Sequence, residues 1–192
     1  MMQNSNVHKW LTENEDRRKI LISIDQPVTA RQISKRVGIR LDSCSHILRK
    51  LKKKNLTLCL NPKSPNSRLY GLTQKGKVYR NQLSKKHGIP VKKYNLPHVN
   101  WQLYGWVCFD HRAATIKALN EPMRASEIKK ILRLHKPNIK ISANNIRDII
   151  RLFEAKNIVE PVKVKKMAYP RYQLTDIGIQ LKKLLTNARM RT

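Results

Sequence analysis

Acidic residues are scarce in this chain: 12 Asp and Glu stand against 41 Lys and Arg in 192 residues. Glycine is scarce too, with six. These shortages remove what most catalysts are built from. There is no paired-carboxylate cluster for acid–base work, no GxxxxGK[ST] loop, no HExxH pair and no glycine-rich cradle, so neither an enzyme nor a cofactor is expected. The three cysteines, Cys44, Cys59 and Cys108, have no CxxC spacing. Cys44 and Cys59 read as small core residues in a reducing compartment. Cys108 and His111 have the spacing of half a zinc site, but no second half lies nearby, and no metal is expected. No run of 18 apolar residues occurs, so no membrane span is expected. The polar start, Met1 to Asn6, lacks the apolar stretch of a signal peptide, and a cytoplasmic protein is expected.

Positive charge is what the chain has, throughout its length. The formal net charge is +29. Residues 10–88 hold 19 Lys/Arg against 5 Asp/Glu, and residues 101–187 hold 17 against 7. No acidic residue occurs between Ser43 and Phe109, where 14 basic ones do. Self-repulsion of this size is tolerable when the partner is a polyanion, and nucleic acid is the expected one.

The chain also repeats itself. Tyr70-Gly-Leu-Thr-Gln-Lys-Gly76 and Tyr172-Gln-Leu-Thr-Asp-Ile-Gly178 both read Tyr-x-Leu-Thr-x-x-Gly, 102 residues apart. At the same offset Lys54-Asn55-Leu56 meets Lys156-Asn157-Ile158, and Cys44, Ile47, Leu48 and Leu51 meet Ile146, Ile149, Ile150 and Phe153. Each apolar set falls at i, i+3, i+4 and i+7, one buried stripe of a helix. Upstream the offset is 95, where Pro27, Ala30 and Ile33 meet Pro122, Ala125 and Ile128. The second copy therefore carries seven extra residues, expected between its second and third helices.

Local signals set the organisation. A first helix is expected from about Lys9 to Ile24, stopped by Pro27. Thr29-x-x-Gln32 has the capping-box pattern for a short second helix that ends at Gly38. A third follows from about Leu41 to Lys54, with Asp42 in its first turn. Leu56–Leu60 and Arg68–Leu72 flank the turn residues Asn61–Ser67 as a two-stranded ribbon with a basic tip. Thr73 then caps a closing helix to about Lys86. The second copy repeats the order. A helix runs to about Leu119, and a short helix over Ala125–Leu134 follows, with Arg124 in place of the Thr29 cap. Next come a third helix capped by Ser142, strands Ile158–Lys165 and Tyr169–Leu174, and a last helix capped by Thr175. The expected division is a disordered 1–8, a first unit 9–88, a linker 89–100, a second unit 101–187 and a basic tail 188–192. The second unit opens on an aromatic segment, Trp101–Phe109, with four of the chain's 11 aromatics.

Three helices, a two-stranded wing and Leu-Thr-x-x-Gly opening a final helix: over Arg17–Lys86 and again over His111–Leu185, the chain resembles the MarR/ArsR-type winged helix-turn-helix superfamily of DNA-binding regulators. The resemblance implies a mainly α fold with small β-wings (α+β), in two tandem winged helix-turn-helix units. It implies that Tyr70, Leu72, Thr73 and Gly76, with Tyr172, Leu174, Thr175 and Gly178, form the handover from wing to closing helix, Leu72 and Leu174 plugging the core. It also implies that the third helix enters the major groove while the wing touches the backbone. Opposite the buried stripes lie Arg40, Ser43, His46, Arg49, Lys50 and Lys53 in the first unit, and Asn144, Asn145, Arg147, Asp148 and Arg151 in the second. Arg suits guanine edges and Asn adenine edges. The base-reading candidates are thus Arg40, Ser43, His46, Arg49, Asn144, Asn145, Arg147 and Arg151. The phosphate and wing candidates are Lys50, Lys53, Lys63, Arg68, Lys163, Lys165, Lys166 and Arg171. Asp148 either reads a cytosine amino group or pairs with Arg151.

The expected function is that of a double-stranded DNA-binding protein, a nucleoid-associated transcription regulator. Two alternatives stay open: an RNA- or ribosome-associated protein, and a protein-interaction adaptor within a nucleic-acid complex. The Trp101–Phe109 segment either packs as core, stacks on unpaired bases, or offers a surface for a homodimer or another protein.

Overall fold

The computed structural model describes residues 2–90, 93–94, 98–135, 140–162 and 169–187. These are mainly helical with small antiparallel sheets, an α+β fold. The contacts divide the chain into a compact first unit that ends at Trp106 and a second that begins at Val107.

The first unit opens with α1 (Met2–Thr12) and α2 (Glu15–Ser23), where a single helix from Lys9 after a disordered stretch was expected. Two local causes account for the difference. Val7 and Leu11 are buried, so the first residues have an apolar stripe to fold on. Asn14 is extended, and its side chain accepts the Arg17 N–H at 3.0 Å, which ends one helix and starts another. Strand β1 (Val28–Thr29) leads into α3 (Ala30–Val37), and the Thr29–Gln32 capping box is formed in both directions. Gly38 stops α3 in the left-handed region at φ +71°. Then come α4 (Leu41–Lys53), β2 (Thr57–Cys59), β3 (Leu69–Leu72) and α5 (Gln74–Lys86). β3 lies between β1 and β2, so the expected two-stranded ribbon is a three-stranded antiparallel sheet. Leu11, Ile20, Leu21, Ile33, Leu48 and Leu51 are fully buried in the core beneath it.

The second unit repeats this order with α7 (Asp110–Ala118), α8 (Ala125–His135), α9 (Ala143–Ala155), β4 (Val159–Val162), β5 (Arg171–Leu174) and α10 (Asp176–Asn187). A single bridge, Met123 to Tyr172, stands where β1 pairs Val28 with Tyr70. α8 has 11 residues against eight in α3, so three of the seven extra residues lengthen this helix. The expected extra segment also covers residues 136–139, which lie outside the described residues. The basic tail 188–192 lies outside them too. Glu127 replaces part of the missing cap by accepting the Arg124 N–H at 2.8 Å.

The handover is built alike in both units. α4 ends in a Schellman motif: Leu56 N–H bonds Leu51 O, Asn55 N–H bonds Lys52 O, and Asn55 takes φ +56°. α9 ends the same way through Ile158, Phe153, Asn157 and Glu154, with Asn157 at φ +53°. The Thr73 hydroxyl donates to Asn55 O and that of Thr175 to Asn157 O, each at 2.7 Å. Their N–H groups reach Leu56 O and Ile158 O, each at 3.1 Å. The same hydroxyls accept from Gly76 and Gly178 N–H, capping α5 and α10. A Cβ on Gly76 would lie 1.9 Å from Leu56 O, and one on Gly178 2.2 Å from Ile158 O. The glycine is thus fixed by close approach to a backbone carbonyl. Leu72 is buried as expected, while Leu174 is only half-buried and plugs its core less completely.

Of the segment expected as a linker and an aromatic opening to the second unit, Tyr94 and the start of the aromatic stretch pack on the first. Tyr94 packs against the first core. β1 pairs only with Leu69 and Tyr70, so the Leu72 N–H lies beyond its end, and the Tyr94 hydroxyl accepts it at 3.0 Å. The Lys77 ammonium sits 5.2 Å from the Tyr94 ring centre. Helix α6 (Trp101–Val107) brings Gly105 so close to the wing loop that a Cβ would lie 2.3 Å from the Asn61 side-chain nitrogen. Residues up to Trp106 therefore belong to the first unit. The helix expected to run on to Leu119 breaks at Phe109, which is extended and starts α7.

Candidate nucleic-acid interface

Each third helix has one buried stripe, and that stripe fixes what faces out. Cys44, Ile47, Leu48 and Leu51 are buried in α4, and Ile146, Ile149, Ile150 and Phe153 in α9. At 100° per residue the centre of the α4 outer face falls on Asp42, His46, Arg49 and Lys53, all exposed. Ser43 and Lys50 lie on its flank and are half-buried, and Arg40 is exposed just before the helix. The centre of the α9 face falls on Asn144, Asp148, Arg151 and Ala155, with Arg147 and Asn145 beside it, all exposed.

These faces are partly tied up. Ser142 caps α9 by accepting the Asn145 N–H at 3.1 Å, and its hydroxyl donates to the Asn145 side-chain oxygen. Asn145 is therefore part of the cap as well as of the face. Asp148 and Arg151 stand 3.6 Å apart across one turn. In water such a pair contributes little to stability, and either partner remains available to a ligand. The Arg49 Nε donates to Ser45 O at 3.3 Å.

A tyrosine joins each helix to its wing. Burial pushes the Tyr70 phenol above its usual range, Cys59 adds to this, and Arg68 and Arg49 pull it back. An α4 cation and a wing cation therefore both act on the Tyr70 phenol. In the second unit burial raises Tyr172, Glu154 raises it further, and Arg151 lowers it. Arg49 and Arg151 are 102 residues apart, so this arginine–tyrosine relation is repeated with the fold.

The first wing is a built loop. Asn61, buried, accepts the Leu69 N–H at 2.6 Å and donates to Ser67 O at 3.1 Å. Ser64 N–H returns to Asn61 O at 3.0 Å, and Ser67 takes φ +51°. Lys63 and Arg68 project from this loop, exposed. In the second wing Lys163, Lys165 and Lys166 lie outside the described residues.

Arg171, expected to contact phosphate, has internal partners in its own unit. Its guanidinium bonds Glu127 at 2.7 Å and Pro122 O at 3.0 Å, tying β5 to the start of α8. Glu127 is the only acid in that first turn, a signal that could have pointed to the pairing. Sequence reasoning also passed over exposed Lys52, one position from Lys53, and Lys75, on the first turn of α5.

In the aromatic segment Tyr104 is buried against Trp101 in an edge-to-face pair, and Trp106 is half-buried. Phe109 is exposed, with the Arg112 guanidinium 5.0 Å from its ring centre. Among the described residues no group of three His, Cys, Asp or Glu could hold a metal ion, and no helix is long and apolar enough to cross a membrane. Compared with models of known protein families and with curated proteins, the chain matches none.

Proposed function

We propose that the chain is a tandem winged helix-turn-helix protein that binds double-stranded DNA and acts as a nucleoid-associated transcription regulator. In this reading α4 and α9 enter the major groove, and the wings lie against the backbone. One observation carries it: two helices of equal length and register bury the same stripe and expose polar faces, each with an arginine, Arg49 and Arg151, at the same position. Arginine at such a position suits a guanine edge, and the Asn144–Asn145 pair suits adenine. Lys63 and Arg68 at the first wing tip supply contacts to phosphate. Two units in one chain give the effect of a dimer through effective concentration, and unlike halves suit an asymmetric site.

Selection from random duplex DNA, followed by binding to the recovered and to scrambled sequences at several salt concentrations, tests this. The expected result is a recovered motif, with Arg147→Glu and Arg151→Glu weakening binding to it more than to scrambled DNA. Equal loss on both sequences would remove the base-reading role. Duplex RNA winning by a wide margin at matched salt would sink the DNA reading.

A further inference from the structure

The exact repeat of register allows the two outer surfaces to be compared position by position. Thr57 pairs Leu72 as Val159 pairs Leu174, and α4 and α9 are both 13 residues long. Across residues 41–60 and 69–79 of the first unit stand seven cations, Arg49, Lys50, Lys52, Lys53, Lys54, Lys75 and Lys77, against Asp42 alone. The matching residues 143–162 and 171–181 hold Arg147, Arg151, Lys156 and Arg171 against Asp148, Glu154, Glu160 and Asp176. The same surface thus carries +6 in one unit and zero in the other.

The change is concentrated around the handover. Lys50, Lys52 and Lys53 of the last turns of α4 become Leu152, Glu154 and Ala155. Lys75 and Lys77 of the first turn of α5 become Ile177 and Ile179. Leu152, Ile177 and Ile179 are 45%, 39% and 53% exposed, so apolar groups stand in water where the first unit keeps ammonium groups. Thr73 bonds Asn55 and Leu56, just past the end of α4, so the C-terminus of α4 and the N-terminus of α5 meet at the handover. Two of the lysines have internal partners: Lys54 lies 4.9 Å from the Trp10 ring centre and Lys77 beside Tyr94. Lys52 and Lys53 are exposed, and Lys50 and Lys75 are half-buried on the flanks of their helices.

We infer that the phosphate-neutralising contacts are asymmetric. The α4–α5 surface of the first unit is the polyanion grip, and the matching surface of the second unit takes no part in it. This rests on the proposed nucleic-acid binding and deepens it. α9 keeps Asn144, Asn145, Arg147 and Arg151, groups suited to base edges, on a surface without net charge to hold a backbone.

The test uses the full chain and two probes, duplex DNA and heparin, a polyanion without bases. Each neutralised phosphate contributes about −0.9 to the slope of log affinity against log salt. Lys50→Ala, Lys52→Ala and Lys53→Ala together are expected to reduce the slope magnitude on DNA by about 1.8 to 2.7, two to three contacts. At about 0.15 M salt that is a loss of roughly 30-fold to 150-fold. The same variant is expected to weaken heparin binding strongly. Arg147→Ala with Arg151→Ala is expected to change the heparin slope by less than one contact. A charge-matched set on α8 and after it, Lys130→Ala, Arg133→Ala and Lys140→Ala, controls for diffuse attraction. All these side chains are exposed or on a flank, so folding is expected to survive, with circular dichroism as the check. Equal slope changes from the three variants would overturn the inference, as would a larger one from the α9 pair. Failure of the unaltered protein to bind duplex DNA, while the heparin ranking holds, would remove the DNA reading and leave the asymmetric grip standing.

Discussion

Replacing Gly76 with alanine tests the account of the handover most directly. The added Cβ would lie 1.9 Å from Leu56 O, about 1.4 Å short of the closest ordinary C···O approach. That oxygen also accepts the Thr73 N–H at 3.1 Å. Moving it apart loses about 1 kcal/mol for that bond and about 1 kcal/mol for the Thr73 cap on α5. Forcing volume into a packed joint adds about 1–3 kcal/mol. Alanine returns about 1 kcal/mol through helix propensity, so the net destabilisation is about 2–4 kcal/mol, a large part of a domain stability of about 5–15 kcal/mol. Gly38→Ala is the comparison: nothing lies within 4 Å of its Cβ, and only the left-handed φ of +71° is strained, about 1–2 kcal/mol. Trp10, Trp101 and Trp106 all lie in the first unit, so tryptophan fluorescence during urea unfolding reports this unit. The expected result is a clear fall in midpoint for Gly76→Ala, at least as large as for Gly38→Ala. An unchanged or raised midpoint would show that helix propensity outweighs the contact, and the close-approach account would be refuted.

Three further outcomes are expected. Asn61→Ala removes the acceptor for Leu69 N–H and the donor to Ser67 O, and is expected to cost about 2 kcal/mol and to speed amide exchange in residues 61–69; unchanged exchange would deny Asn61 its role in shaping the wing. Arg171→Ala is expected to lower second-unit stability by about 1 kcal/mol, given that the ion pair is about one-third exposed, and to leave the salt slope of DNA binding unchanged; a lowered slope would return Arg171 to the phosphate contacts. Burial raises the phenols of Tyr70, Tyr94 and Tyr172 above their usual range. A raised folded-state value means their contribution is complete below the unfolded value of about 10 and is lost as pH rises above it. Phenolate absorbance should therefore show Tyr70, Tyr94 and Tyr172 ionising late, and Tyr94→Phe should remove one late-ionising phenol; the absence of any late phase would contradict the burial.

The elements that were legible in the sequence share a trait: their cause is local. The capping box at Thr29, the stop at Gly38, the stripes of α4 and α9 and the caps at Thr73, Ser142 and Thr175 each depend on residues within one or two turns. The break at Asn14 is local too, but apolar residues stand on both sides of it, Trp10 and Leu11 before and Ile20, Leu21 and Ile24 after, and they mask the cap. What could not be read depends on partners far along the chain. β1 needs β3 about 40 residues away, Arg171 needs Glu127 44 residues away, and Tyr94 needs Leu72 22 residues away. Tyr94 sits among prolines and lysines without periodicity, so nothing around it announces a docking residue. In the candidate interface the stripe alone decided which residues face outward. It could not show that Asn145 also serves a cap, or that Arg171 is held inside its own unit.

The wing is anchored at its base by main-chain partners. Thr73 closes an 18-residue span onto Asn55 O, and Thr175 closes an equal span onto Asn157 O. In the first unit the clasp encloses β2, β3 and the Asn61–Ser67 loop between them, a hairpin whose ends are already held together. Doubling the length of such a loop costs only about 0.6 kcal/mol in closure entropy. The first wing can therefore lengthen at its exposed Pro62–Lys63 and Pro65–Asn66 positions at little closure cost, so long as Asn61 keeps its place beside Gly105.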